Sequence, residues 1–302
     1  MPHWGTSRSI PIFLTTLTAL SSFAHAQQTM TLRGSDALIY LGQRFAEMYA
    51  RTHPASFEIH GGGIPPALAA VTSGQASVAQ FEGSPKNLDP SLLSFPIGVQ
   101  GIVVYVNQAN PVTELSLHQL RSIFTGEITN WKALGRTDLA IHLYAAESTT
   151  GTLSYFQDSV LDGQEPYPFV GKSNTKGLLE EIAAHREAIG YGSLDAAPGV
   201  SVVAIKTGPH SQAIKPTAEA IRSRRYPITR FVTWVASHKP PDALKEFYTW
   251  VLSSEGQLVV EGAGFQPLLP RDRAAGLAKF GGSSDKSACC LIAFAESQWQ
   301  QS

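Results

Sequence analysis

The sequence predicts an α/β fold with mostly parallel sheets flanked by helices, and three observations carry that expectation. Strand-like and helix-like stretches alternate almost to the end of the 302-residue chain, the pattern that sets parallel strands between layers of helices. Three of these alternations share one design, a short apolar strand, a small polar turn and a helix with an apolar stripe, over 30–49, 56–71 and 142–161. The run Ile97–Asn107 carries Val99, Ile102, Val103, Val104 and Val106 and has no polar face, which suits a strand buried on both sides. With 43% hydrophobic residues, a chain of this length fills one large core or two of ordinary size.

The chain opens with a segment that reads as a targeting signal. Arg8 supplies the basic region, Ile10–Phe23 the apolar stretch, and Ala24-His25-Ala26 a small-x-small cleavage site. Residues 1–26 are therefore expected to be a signal peptide cleaved after Ala26, with the mature chain in the periplasm or secreted. No Cys near that site offers a lipid anchor, and no later run reaches the roughly 18 apolar residues of a membrane span.

Met30–Arg33 forms the first strand and Gly34-Ser35-Asp36 its turn, followed by a helical stripe of Leu38, Leu41, Phe45, Met48 and Tyr49. Ser35 or Asp36 suits a helix cap, and the same groups stand where a helix N-terminus receives an anion. Ser56–His60 alternates as a strand. Gly61-Gly62-Gly63 follows, and Ile64–Val71 starts a helix that accepts Pro65 and Pro66 in its first turn. The glycines let backbone approach a ligand closely. After Gly74 ends that helix, Ser77–Phe81 forms a strand that delivers Glu82 at its end.

Beyond Ile97–Asn107, Leu117, Leu120, Ile123 and Phe124 mark a helix, and a loop leads to Trp131. The strand His142–Ala145 then meets Thr149–Thr152, where the pattern changes to the helical spacing of Leu153, Phe156, Val160 and Leu161. Unpaired amides and the positive end of the dipole make such a helix start a receptive place for an anion, with Thr150, Gly151 and Thr152 as donors. A plain capping role for this turn is the alternative. Thr175–His185 and Thr217–Arg222 read as helices, and Ile189–Ser193, Val200–Lys206 and Ile228–Val235 as strands. Two helices follow, one carrying Leu244, Phe247 and Trp250 and one at Ser254–Gly262. Residues 281–302 read as a disordered tail.

A net charge of −1 without a charge run gives no bulk attraction for nucleic acid or an anionic membrane, so a ligand must be recognised locally. The two cysteines, Cys289 and Cys290, are adjacent and make neither a disulfide framework nor a zinc set. Phosphate-loop, HExxH and Gly-x-Ser-x-Gly patterns are absent from the sequence. No cofactor and no metal are expected.

The string Leu115-Ser-Leu-His-Gln-Leu-Arg-Ser-Ile-Phe-Thr-Gly-Glu-Ile-Thr-Asn-Trp-Lys-Ala-Leu-Gly135 resembles a signature of the periplasmic phosphate-binding proteins that serve ABC importers. Ala188–Leu194, Tyr226-Pro-Ile-Thr-Arg230 and Phe247–Pro267 are similar to further segments of that family, in order. The resemblance implies a type II, two-lobed periplasmic-binding-protein fold with two extended crossings and a ligand cleft between the lobes. It would place lobe 1 at 27–105 plus 231–280 and lobe 2 at 106–230. Its ligand shell falls on Ser35 and Asp36, on Gly62 and Gly63, on Glu82 as acidic acceptor, and on Thr150, Gly151 and Thr152.

Two positions depart from the family shell. Glycines and Ile64 replace a serine of the second loop, and Ala145 or Ala146 stands where the family carries an arginine ahead of the third turn. Arg33 is a nearby guanidinium, suited to the cleft or to a surface ion pair. The resemblance thus implies a monomeric solute-binding protein without catalytic activity that captures phosphate or a phosphate-like oxyanion for ABC importer membrane subunits. Two alternatives stand beside it: a sensor or partner module without tight phosphate binding, and an exported phosphoester hydrolase with Thr150 or Ser35 as nucleophile and Glu82 as base.

Overall fold

A computed structural model of the chain describes residues 29–83, 87–146, 150–172, 174–208 and 210–281. The expected leader over 1–26, residues 282–302 and the Cys289-Cys290 pair lie outside the described residues. In chain order the first elements are β1 (Thr29–Gly34), α1 (Ile39–Ala50), β2 (Ser56–His60), α2 (Ile64–Thr72), β3 (Val78–Glu82) and β4 (Leu92–Gly101). The middle of the chain adds β5 (Val103–Asn107), β6 (Glu114–Ser116), α3 (Leu117–Phe124), β7 (His142–Ala146), α4 (Thr150–Ser159) and β8 (Val170–Lys172). It continues through α5 (Thr175–Ala184), β9 (Ala188–Gly192), β10 (Val200–Val202), β11 (Ala204–Lys206) and α6 (Ala218–Arg222). The last elements are β12 (Thr229–Ser237), α7 (Asp242–Val251), α8 (Ser254–Gly262) and α9 (Pro270–Gly281).

Two five-stranded sheets organise these elements, in the orders β2-β1-β3-β12-β4 and β10-β5-β9-β7-β8, and β11 pairs with β6 in a small ribbon. Each large sheet is mixed. β1 runs parallel to β2 and β3, and β7 runs parallel to β8 and β9. The antiparallel pairs involve the strands on either side of the passages between sheets: β12 with β3 and β4, and β5 with β9 and β10. The expectation of mostly parallel sheets therefore describes one half of each.

The apolar run Ile97–Asn107 is two strands. The chain leaves the first sheet after Gly101 and enters the second at Val103, with Ile102 between, and the Ile102 N–H donates to the Ile228 carbonyl where the chain returns (2.9 Å). Both strands are buried, so hydropathy alone shows no break. Val200–Lys206 likewise divides into β10 and β11, which pair with different partners. Helix α9 was not anticipated from the sequence, because its few inward residues are Arg273 and Gly276 rather than an apolar stripe.

Aromatic residues pack the first lobe, with Phe45 of α1 edge-on to Trp234 of β12 at 5.7 Å and Tyr49 against Phe247 at 4.8 Å. In the second, Phe156 of α4 stacks on Tyr191 of β9 at 3.8 Å and meets Phe124 of α3 edge-on at 5.0 Å. Such contacts set the height of α4 over its sheet. The segment 115–135 folds as a compact cap on this layer. Ser116 and Gln119 form a capping box for α3, and buried Trp131 donates its indole N–H to the Glu187 carbonyl (3.1 Å).

Candidate functional site

Chain order and sheet order together locate the site. β1 sits between β2 and β3, so the winding direction reverses at β1, and β7 sits between β8 and β9 with the same reversal. Ligands of open α/β sheets bind outside the carboxyl ends of strands at such switch points, because two neighbouring strand-to-helix turns diverge there and leave a crevice. The turn after β1 carries Ser35 and Asp36, and the turn after β7 leads into α4 at Thr150. Gly61-Gly62-Gly63 follows β2, and Glu82 ends β3, so on the first sheet all the expected residues share one edge.

The first two turns are clipped to each other. The Asp36 carboxylate Oδ1 accepts from the Gly62 N–H (3.1 Å), and the Gly63 N–H donates to the Gly34 carbonyl (3.0 Å). A side chain at Gly61 would place its Cβ 1.7 Å from Asp36 Oδ1, and one at Gly34 would reach within 1.8 Å of the Gln80 carbonyl oxygen. Close approach, of the Asp36 side chain at Gly61 and of the Gln80 backbone at Gly34, is thus the reason for glycine at both positions. The Ser35 N–H donates to the Gln80 carbonyl (3.0 Å), and Ser35 Oγ accepts from the Ala37 N–H (3.3 Å), a helix-capping contact. The amides of Gly62 and Gly63 are consequently engaged within the protein, and Asp36 acts as the clasp between the loops.

On the other side, Thr150 is the first residue of α4, followed by Gly151 and by Thr152, which is buried. Residues 147–149 of the same turn lie outside the described residues. One turn further, the Tyr155 hydroxyl donates to the Thr229 carbonyl at the start of β12 (2.7 Å). Beside it the Arg230 guanidinium lies over the Tyr155 ring, 4.6 Å from the centroid.

Arg230 is the centre of a buried row across the first sheet. Its Nε donates to Gln100 Oε1 on β4 (2.8 Å), and its Nη2 stands 3.5 Å from Glu82 Oε1 on β3. The side chains of Arg230 and Glu82 are only 5% and 2% exposed. Burial pulls the Arg230 pKa down, and the charge of Glu82 pulls it back up. Burial likewise raises the Tyr155 phenol, with the neighbouring guanidinium acting against it. At an effective dielectric of 20 the Arg230–Glu82 attraction is about 5 kcal/mol. Removing two ions from water costs several kcal/mol each, so the pair contributes little net stability.

These turns and this row occur in a chain whose residues 21–255 match the family model of the PBP superfamily domain. The chain belongs to the PBP superfamily. Among PBP-superfamily relatives, it is 27% identical over 249 residues to the phosphate-binding protein PstS of Bacillus subtilis, spanning 80% of this chain and 82% of that one. It is similar in fold to an ABC-type phosphate transport receptor from Vibrio cholerae, with a TM-score of 0.70 and 23% identity over 80% of this chain and 100% of the other. The solved structure of a Clostridium perfringens protein with bound phosphate aligns with a TM-score of 0.61 and 24% identity over 80% of this chain and all of that one.

Within this PBP-superfamily fold, sequence reading missed Arg230 as the buried neighbour of Glu82. The signal was present: a charged residue opens the otherwise apolar run Phe231–Ala236, and a buried strand admits a charge only when it is paired. Arg33, the guanidinium the sequence offered, is half-buried on β1, paired in register with His60 and Ala79. A cavity of about 710 Å3 lies elsewhere, at the amino end of β7, lined by His142, Tyr144, Tyr167 and Phe169. Among the described residues no cluster of three His, Cys, Asp or Glu is placed to hold a metal ion, and no helix is long and apolar enough to cross a membrane.

Proposed function

We propose that this protein is an exported solute-binding protein that captures phosphate, or an oxyanion like it, between two lobes and presents it to the membrane subunits of an ABC importer. The sequence-based division at 105/106 and 230/231 moves by a few residues to the passages between the two sheets, so that lobe 1 comprises 27–101 plus 229–280 and lobe 2 comprises 103–228. The observation that carries the reading is the placement of a helix-start turn at the switch point of each sheet, in a chain whose relatives are named phosphate-binding proteins. Ser35, Asp36, Gly62, Gly63 and Glu82 form one wall, and Thr150, Gly151 and Thr152 the other.

Binding without catalysis is the reading the contacts favour. Ser35 Oγ serves Ala37 and Glu82 faces Arg230, whereas a hydroxyl nucleophile needs a base aimed at it. A second reading, a sensor or partner module that holds phosphate weakly, draws on Ala145 and Ala146, which leave β7 without a cation before its turn.

Thermal unfolding of the mature chain with inorganic phosphate, arsenate, sulfate and small carboxylates tests the assignment. Phosphate at a hundredfold excess over its Kd stabilises the native state by about 2.7 kcal/mol, and Thr152→Val is expected to reduce that response. A midpoint unmoved by every oxyanion would refute the transport reading.

A further inference from the structure

We propose that Arg230 is the compensating cation of the anion site: a positioning residue that neutralises Glu82 from the crossing strand, so that a negatively charged ligand can settle beside a carboxylate. The inference rests on the site assignment above and adds a residue to it.

The argument starts from the charges available. On the second wall, β7 (His142–Ala146) and the described start of α4, Thr150-Gly151-Thr152, carry neither Lys nor Arg. The first wall contributes carboxylates at Asp36 and Glu82. An oxyanion entering between these walls meets helix-start dipoles and hydroxyls but also like charge, and like charges a few ångströms apart in a dry cleft repel strongly. Asp36 is exposed and bonded to the Gly62 amide, so water and a backbone dipole screen it. Glu82 is buried, its Oε1 makes no hydrogen bond among the described residues, and the charge opposite it is Arg230.

Register puts that cation in place. Gln100 pairs directly with Arg230 across β4 and β12, and Val232, two residues on, pairs with Glu82 across β12 and β3. Glu82, Arg230 and Gln100 therefore form a row over three adjacent strands. Tyr155 closes that row from the second lobe, its ring on the guanidinium and its hydroxyl on the Thr229 carbonyl. The same helix begins at Thr150, so the guanidinium touches the helix that presents one wall of the cleft and the carboxylate that belongs to the other. Hydrophobic replacements of similar size usually hold a fold at least as well as a buried ion pair. A charged pair at the meeting point of both walls is accordingly better explained by its field than by its contribution to folding.

The test is calorimetric titration of inorganic phosphate into the mature wild type and into Arg230→Gln, Arg230→Lys, Glu82→Gln and the double variant Glu82→Gln/Arg230→Gln, with the unliganded thermal midpoint of each as a check of folding. Arg230→Gln is expected to weaken phosphate binding at least tenfold, and Arg230→Lys, which keeps the charge, by no more than about threefold. The double variant carries no unpaired buried charge. It is expected to fold as well as either single variant and to bind phosphate at least fivefold more tightly than Arg230→Gln. Equal binding by the wild type and Arg230→Gln would overturn the inference, as would a double variant no better than Arg230→Gln, while leaving the phosphate reading intact. A wild type that binds no phosphate refutes the proposed function and the inference with it.

Discussion

A methyl group at residue 61 is a sharp probe of how the two first-lobe turns hold each other. The Cβ of Gly61→Ala would lie 1.7 Å from Asp36 Oδ1 and 3.1 Å from Ile39 Cδ1. Backbone conformation is no obstacle, because the substitution asks only for space. The Asp36 carboxylate must rotate away, and it then loses its 3.1 Å bond from the Gly62 N–H. An exposed hydrogen bond of this kind contributes about 1 kcal/mol. Gly61→Ala is therefore expected to destabilise by about 1 kcal/mol.

The same loss occurs in Asp36→Ala, and with the carboxylate gone the alanine at 61 has room. In that background Gly61→Ala is expected to be neutral, or stabilising by about 0.4 to 1 kcal/mol through the reduced freedom of the unfolded chain. Equilibrium urea unfolding of the wild type, the two single variants and the double variant gives the coupling directly. If Gly61→Ala destabilises equally in both backgrounds, the glycine is not there to make room for Asp36 and the clasp between the turns is misassigned.

Two further expectations concern the framework. Gln257 of α8 donates to the Ile97 and Val251 carbonyls (3.1 and 2.9 Å) and accepts from the Leu268 N–H (2.7 Å), all buried; Gln257→Leu strands three backbone groups and should cost about 3 kcal/mol or more, read as a lower urea midpoint. Burial raises the phenols of Tyr105, Tyr226 and Tyr248 above their ordinary value of 10.0. Their stabilisation is complete below pH 10 and is lost as pH rises toward the folded values, since the unfolded chain ionises first. Each contributes a slope of about 1.4 kcal/mol per pH unit in that range. Phenolate absorbance should appear together with unfolding, and ionisation of all three near pH 10 in the intact fold would contradict their burial.

Much of the fold was legible because local rules carry it. The stripe Leu38, Leu41, Phe45, Tyr49 announced α1 by its spacing, Gly74 ended α2, and Thr29–Gly34, Ser56–His60 and Val78–Glu82 each preceded a break in pattern at the residues expected to bind. The candidate turns were likewise visible as strand-to-helix changes rich in Gly, Ser and Thr. What stayed hidden depended on partners. Ile97–Asn107 reads as one strand because both halves are equally buried, although Gly101 belongs to one sheet and Val103 to the other. Short β6 and β8 have three residues each, too few for a period to declare itself.

The sequence by itself determined most of the longer strands and helices, their apolar faces and the turns that carry small polar residues, since these follow from side-chain size, branching and spacing along the chain. Only the tertiary structure decided the charge pattern of the cleft. Glu82, Gln100, Tyr155 and Arg230 lie far apart in sequence and meet because β3, β12 and β4 pair in one register and α4 docks through Phe156 and Tyr155. Shifting that register by one residue would turn Arg230 to the opposite face of the sheet. Strand pairing, which no local pattern specifies, is thus the physical reason the cation beside Glu82 could be found only in three dimensions.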